Sequence, residues 1–296
     1  MITFEEFAQI IVARVEELAE GRIQVRIDEI LKNNGLKLLG VAAAREDTDI
    51  SLVIYLDKFY ADYKNGGCTI DEIVQKVHDL LELHSEKVPV EIKASDFMSW
   101  DKMKPHIFAR LINAEWNREL LEKVPHRRVM DLAEVYYVKA AGKNKKDGIG
   151  SILIYHEHGK IWDVGEADLH EAACNNMTGE KSAVVSMEDV IGEMTGRSIP
   201  GSCGMYVLTN NDRFYGASEI LKEDTLYGIA EQMQDDFIIL PSSVHEVIVI
   251  PAKDDEYAGL VEMVREINAT QLAPDEILSD HVYRFDRTTK ELSIAA

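Results

Sequence analysis

The chain has 296 residues, 46% of them hydrophobic and 29% charged, the make-up of a folded globular protein. A chain of this length buries most of its unfolded surface unaided, so disorder, collagen, coiled coil and a small disulfide scaffold are excluded. Its 32 basic and 53 acidic residues leave a net charge of -21, which repels phosphate backbones and anionic lipid and so argues against nucleic-acid and membrane partners.

That charge is uneven. Residues 1–148 carry 22 Lys/Arg against 26 Asp/Glu, whereas residues 149–296 carry 10 against 27. Solubility accounts for such an acidic half; a basic partner would instead require the acids to share one face. Cys68, Cys174 and Cys203 form no CxxC pair, which suits a reducing compartment. The opening Met1-Ile2-Thr3-Phe4-Glu5-Glu6 has acid where a signal peptide carries base, and no apolar run reaches membrane length. A cytoplasmic protein is expected.

Taken in chain order, the first element is a helix. Thr3 and Glu6 form a capping box, and Phe4, Phe7, Ile10, Ile11, Val15 and Leu18 form one apolar stripe that Gly21 closes. Ile23, Val25 and Ile27 alternate with polar residues, and Asn33-Asn34-Gly35 supplies a hairpin turn before Leu36–Val41. Thr69 with Glu72 repeats the capping box ahead of Ile70, Ile73, Val74, Val77, Leu80 and Leu81. Further helices are predicted near 55–64, 115–123, 166–174, 186–195, 224–234 and 255–268, the last behind the acids Asp254, Asp255 and Glu256. Strands are predicted at 50–54, 106–112, 130–139, 151–156, 160–164, 204–209, 236–240, 244–250, 281–285 and 291–294. The lysine-rich run Gly142–Gly148 reads as an exposed hairpin tip, and the polar stretch 174–203 as a mobile segment.

Adjacent strands in mixed order predict an α+β fold, with largely antiparallel sheets and flanking helices. A soft division near Pro125 separates an N-terminal lobe, 1–124, from an acidic C-terminal lobe, 125–296, unless the chain is a single domain. No internal repeat is visible.

Several groupings carry chemistry, each beside a plainer reading. In Leu240-Pro241-Ser242-Ser243-Val244-His245-Glu246-Val247, serine, histidine and acid are the ingredients of nucleophilic catalysis, with Ser242, Ser243, His245 and Glu246 the catalytic candidates. Between two apolar strands, however, Pro-Ser-Ser is a natural tight turn. His156 and His158 would share a face on a strand and could hold zinc or iron, completed by His170 and Cys174 at helical spacing. The plainer reading is a hairpin turn at Glu157-His158-Gly159, and neither metal nor cofactor is expected. Asn210 and Asn211, before Gly216-Ala217, are turn residues or amides offered to a ligand at a strand's end. Gly201-Ser202-Cys203-Gly204 lacks the strand-then-helix context of a nucleophile elbow. Gly148-Ile149-Gly150 is too short for a dinucleotide fingerprint.

A resemblance adds to this. Lys32-Asn33-Asn34-Gly35, Ile54–Tyr60, Pro125–Arg128 with Asp131-Leu132-Ala133, Val207–Asn210, Ile239–Ile248 and Leu278–Tyr283 occur in an order similar to one bacterial family. It is the domain-of-unknown-function family numbered 5688, and the likeness spans most of the chain. The resemblance implies a full-length member; that family has no established activity, so no role is carried onto any residue. The residues themselves favour a binding or regulatory protein acting on a protein or small-ligand partner. The alternative is a hydrolase using His245 with Ser242 or Ser243, or a metal site at His156 and His158.

Overall fold

The computed structural model describes residues 2–20, 24–44, 52–85, 94–141, 149–197, 204–252 and 257–296. They form two compact units. The first comprises the chain up to Lys32, Leu36–Met98 and Ala140–Gly150; the second comprises Asn33–Gly35, Ser99–Lys139 and Ser151–Ala296. Pro125 lies inside the second unit.

In the first unit, helix α1 (Phe4–Leu18) starts at the expected capping box. Thr3 Oγ1 accepts the Glu6 N–H at 3.2 Å while the Glu6 carboxylate accepts the Thr3 N–H at 2.9 Å. Strands β1 (Gln24–Leu31) and β2 (Lys37–Ala44) pair antiparallel from Gln24↔Ala44 to Leu31↔Lys37, and β3 (Leu52–Tyr55) pairs with β2. Helices α2 (Asp57–Lys64), α3 (Ile70–Ser85) and the single turn α4 (Ala94–Phe97) follow. The second capping box is also present, with the Thr69 N–H bonding Glu72 at 2.8 Å. Ile73, Val74, Val77 and Leu81 of α3 pack with Phe7, Ile11 and Val15 of α1 in one core. Each such buried side chain contributes about 1.5–3 kcal/mol.

The second unit holds two sheets. One is built on β6 (Leu132–Ala141), which pairs with β4 (Ile107–Asn113), β5 (His126–Val129) and β7 (Ile149–Leu153). The short helices α5 (Trp100–Met103) and α6 (Arg118–Leu121) flank β4 in sequence. Next come α7 (His156–Trp162), α8 (Glu166–Gly179), β8 (Ser182–Ser186), α9 (Met187–Thr195) and β9 (Tyr206–Asn210). A 3-10 turn at Gly216–Leu221 leads to α10 (Glu223–Met233), β10 (Phe237–Ser243), β11 (Glu246–Pro251) and α11 (Ala258–Gln271). The last strands are β12 (Tyr283–Asp286) and β13 (Glu291–Ile294). The second sheet runs β13-β12-β10-β11-β9-β8, and the pairs along it are antiparallel. The fold is α+β.

Alternation along β10 explains how this sheet buries both faces. Phe237 and Ile239 join Val247, Val249, Leu226, Ile229 and Phe285 in one core. Ile238 and Leu240 join Val261 and Val264 of α11 in another.

Four expectations need correction. The predicted strand 160–164, with its turn at 157–159, is helix α7: His158 Nδ1 accepts the Tyr155 N–H at 3.2 Å, and Asp163 ends the helix in the left-handed region. Pro241-Ser242-Ser243 is not the turn. Those residues lie in β10 at a register shift, and Val244-His245 makes the reversal. The stretch 174–203 holds the end of α8 together with β8 and α9, and the helix expected at 115–123 is confined to Arg118–Leu121. Gly21, the lysine-rich run 142–148, Gly201–Cys203 and Asp254–Glu256 lie outside the described residues.

The knot between β9 and the β10–β11 turn depends on one glycine. Thr209 Oγ1 donates to the His245 carbonyl at 2.8 Å, and Gly216 is pressed onto that bond. A Cβ at Gly216 would lie 2.1 Å from Thr209 Oγ1, 2.6 Å from His245 O and 2.7 Å from Asn210 N. Two of those three atoms are backbone and cannot swing away. Gly216→Ala is therefore expected to destabilise the protein by about 3 kcal/mol, read as a lowered urea midpoint. An unchanged midpoint would show that the loop has room to spare.

Candidate functional site

The second unit contains a cavity of about 700 Å³ between elements of its first sheet, α8 and the start of α10. Its chemistry begins with an acid in an apolar strand. Glu134 sits in the β6 run Leu132-Ala133-Glu134-Val135-Tyr136-Tyr137-Val138, whose members are all buried, and is itself only 3% exposed. A carboxylate placed there requires a partner. Alternation sends Glu134 and Tyr136 to the same side of the strand, and both are met by α8: the Tyr136 hydroxyl donates to Glu166 at 2.9 Å, and His170 Nδ1 lies 2.9 Å from Glu134 Oε1.

Helix α8 is held so that these contacts are fixed. At its start the Gly165 N–H donates to Asp168 at 2.9 Å, and Asn176 Nδ2 donates to the carbonyls of Lys104 and Ile107 at 2.8 and 2.9 Å. Leu169, Ala172, Ala173 and Met177 form its buried stripe. The adjoining stripe brings His170 and Cys174, one helical turn apart, onto the cavity wall, with Cys174 Sγ 3.5 Å from His170 Nε2. The sulfur also lies 3.8 Å from His170 Nδ1, so it rests against the face of the ring while Glu134 holds the ring by its edge. Desolvation, then the charge of Glu134, holds the Cys174 thiol above its ordinary range, so the sulfur rests protonated at neutral pH.

The remaining wall is polar and internally tied. Buried Glu219 accepts from the Ser182 hydroxyl and pairs with Lys222 Nζ at 3.0 Å; Lys222 also donates to the Glu180 carbonyl at 3.0 Å. Arg127 pairs with Glu166 at 3.6 Å. Arg128 also lines the cavity and is exposed, and it makes no ion pair among the described residues.

The run 242–246 is used differently. Ser243 Oγ accepts the His245 N–H at 3.0 Å, and His245 Nδ1 accepts the Tyr215 N–H at 3.1 Å. A neutral ring bonded this way carries its proton on Nε2. The His245 ring stacks on Tyr215 at 5.4 Å and 7°, and Arg110 sits 4.6 Å from the centre of that Tyr215 ring. Glu246 pairs across the turn with Ser243, and Ser242 occupies the register shift. Asn210 is buried, its amide bonding Phe214 N and O at 3.1 and 2.9 Å to close the loop, whereas Asn211 is exposed. His156 lines a separate hollow and His158 turns inward against Trp162; two residues apart on a helix, they face different ways. His170 and Cys174 do meet, but their third partner is Glu134. Among the described residues no group of three or more His, Cys, Asp or Glu is arranged to hold a metal ion.

The helical spacing of His170 and Cys174 is legible in the sequence; Glu134 is the member that sequence reasoning missed. Its signal was there, a lone acid inside a seven-residue apolar run, which is costly unless a partner waits for it.

Burial holds His245 below the ordinary imidazole value, against the opposing pull of Glu276 and Glu246, and burial does the same to His158. The folded state therefore binds fewer protons than the unfolded chain just below pH ~6.5, and stability is lost as pH falls through that window. We expect the urea midpoint to drop between about pH 7.5 and about pH 5.5. His245→Asn, which keeps an acceptor for the Tyr215 N–H and cannot titrate, should drop less. An identical slope in both proteins would remove His245 from the explanation.

No helix among the described residues is long and apolar enough to cross a membrane. Neither the curated proteins nor the solved structures contain a match to the chain. A family model does match, over residues 4–287, nearly the whole chain. The order of motifs from Asn33 to Tyr283 thus has its explanation: the chain belongs to the family of unknown function DUF5688.

Proposed function

We propose that this is a cytoplasmic protein that binds a small polar ligand carrying a carboxylate, in the cavity lined by Arg128, His170 and Cys174. The observation that carries the reading is Arg128. Arg128 lines the cavity, is exposed and has no ion-pair partner among the described residues, while Glu134, Glu180 and Glu219 around it are bound to His170, Lys139 and Lys222. An arginine fork matches a carboxylate in two parallel hydrogen bonds. A volume of about 700 Å³ suits a small molecule. Free Cys68 and Cys174 support the reducing compartment.

A hydrolase centred on His245 has less support, because its Nδ1 and the Ser243 hydroxyl serve the turn itself. The test is a thermal-shift panel of acetate, succinate, citrate, glutamate and inorganic phosphate. A carboxylate at about a hundred times its Kd adds about 2.7 kcal/mol, a rise of roughly 5 °C or more. Arg128→Ala should abolish that rise without lowering the unliganded Tm, since the side chain is exposed. A full shift in Arg128→Ala, or no shift with any member of the panel, would refute the reading.

A further inference from the structure

We infer that the bond from the Tyr215 N–H to His245 Nδ1 is a proton-operated latch on the loop Asn211–Tyr215: protonation of His245 releases the loop while β9, β10 and β11 stay paired. The loop joins β9 to the 3-10 turn at Gly216–Leu221. Arg213 and Tyr215 both sit in the left-handed region, at φ 50° and 54°, a costly conformation that outside ties must hold. Asn210 supplies two such ties through its side-chain amide, to Phe214 N at 3.1 Å and to Phe214 O at 2.9 Å. Ser218 Oγ donates to the Tyr215 carbonyl at 2.8 Å. The Tyr215 N–H has a different anchor, His245 Nδ1 at 3.1 Å. Of these ties, only the last involves a group that titrates.

Protonation turns that acceptor into a donor. Both ring nitrogens then carry hydrogen, and Nδ1 points its own hydrogen at the N–H it had held. The new charge also meets another cation. His245 stacks on the Tyr215 ring, and the Arg110 guanidinium of β4 lies 4.6 Å from the centre of the same ring. Glu246 of β11, with Glu276 and Asp275 of the turn Pro274–Glu276, pulls the opposite way. Burial outweighs those acids and holds the imidazole below its ordinary value. The closed loop therefore binds fewer protons than the open one, so acid favours opening. The framework beneath does not titrate. Thr209 Oγ1 still donates to the His245 carbonyl, the Ala217 N–H to the Val244 carbonyl, and the ladders joining β9, β10 and β11 remain. Opening lifts two rings, Phe214 and Tyr215, from buried Tyr137 of β6, which they meet at 6.1 and 5.1 Å. Asp212, a partner of Lys139, leaves with them.

The experiment is amide hydrogen exchange of the full chain, with each rate divided by the intrinsic chemical rate at the same pH. An imidazole freed to its ordinary value, ~6.5, makes the open loop about tenfold more populated at about pH 5.5 than at about pH 7.5. Protection of the Tyr215 amide should fall by that factor. His245→Asn, which keeps an acceptor and cannot titrate, should show the same protection at both pH values. The Tyr155 amide, held by His158 Nδ1 in the same way, should keep its pH response in that variant, as a control that the variant is folded. The wild-type chain gives a second readout. Exchange at Tyr215 should be insensitive to urea below the unfolding transition, whereas the strand amides of β11 should show the full urea slope. A Tyr215 slope matching that of β11 would mean that the whole unit unfolds, and would overturn the latch without recourse to any variant. So would an equal pH response of Tyr215 in both proteins, or none in wild type.

Discussion

A charged group in the middle of a strand buried on both sides sets the terms for the second unit. Glu134 cannot reach water, and leaving it alone would cost several kcal/mol. Helix α8 answers it by presenting His170 where a purely apolar helix face would otherwise lie against the sheet. The same side of β6 carries the Tyr136 hydroxyl, which burial, and then Glu134 and Glu166, keep protonated far above its ordinary range, and which donates to Glu166. The packing of α8 is therefore fixed in rotation by polar contacts and in tilt by its apolar stripe. Cys174 then has little choice of position, because it stands one turn beyond His170 on a helix that cannot roll.

How much of this could be read from the residues depends on whether the decisive contacts were local. The two capping boxes were legible because donor and acceptor are three residues apart, and both are present. The β1–β2 hairpin and the pairing of β10 with β11 were legible for the same reason. Helix α7 was not, since Glu157-His158-Gly159 reads as a hairpin turn and the helix start is held by a histidine nitrogen, an unusual cap. Strand β8 was hidden by serines at both ends, one of which caps α9 through Asp189. For the site, the His170–Cys174 spacing was visible, but its link to Glu134 spans 36 residues and exists only after folding. Gly216 was visible in sequence as a loop glycine after the Asn210-Asn211 turn; the atoms it meets, in Thr209, Asn210 and His245, are set by the fold.

The acidity of the chain's second half is partly structural. Asp236 accepts from the Arg287 backbone at 2.9 Å and from the Arg284 side chain at 2.7 Å, contacts that hold its carboxyl below the ordinary range. Glu231 holds the Arg287 guanidinium at 2.9 Å. Others sit in the first turns of α8, α9 and α10, where a helix dipole favours negative charge. Exposed ties of this kind are screened by solvent, so they orient segments more than they stabilise them. Around the cavity Glu134, Glu180 and Glu219 are spent on internal partners in the same way, whereas Arg128 has no ion pair among the described residues.

Asp131, at the bend into β6, has a different kind of consequence. Its two carboxylate oxygens accept from Ser279 at 2.6 Å and from the Tyr283 hydroxyl at 2.9 Å, across sequence separations of 148 and 152 residues. During synthesis at roughly 5–20 residues per second, the ribosome delivers Asp131 well before either partner exists. The first unit draws its core from residues within the first third of the chain and can close while the rest is still being made. The second unit must wait with an unanswered acid beside its central strand until Tyr283 clears the exit tunnel. Until Tyr283 takes its place opposite Ile239, the edge of β10 that β12 covers also stays open.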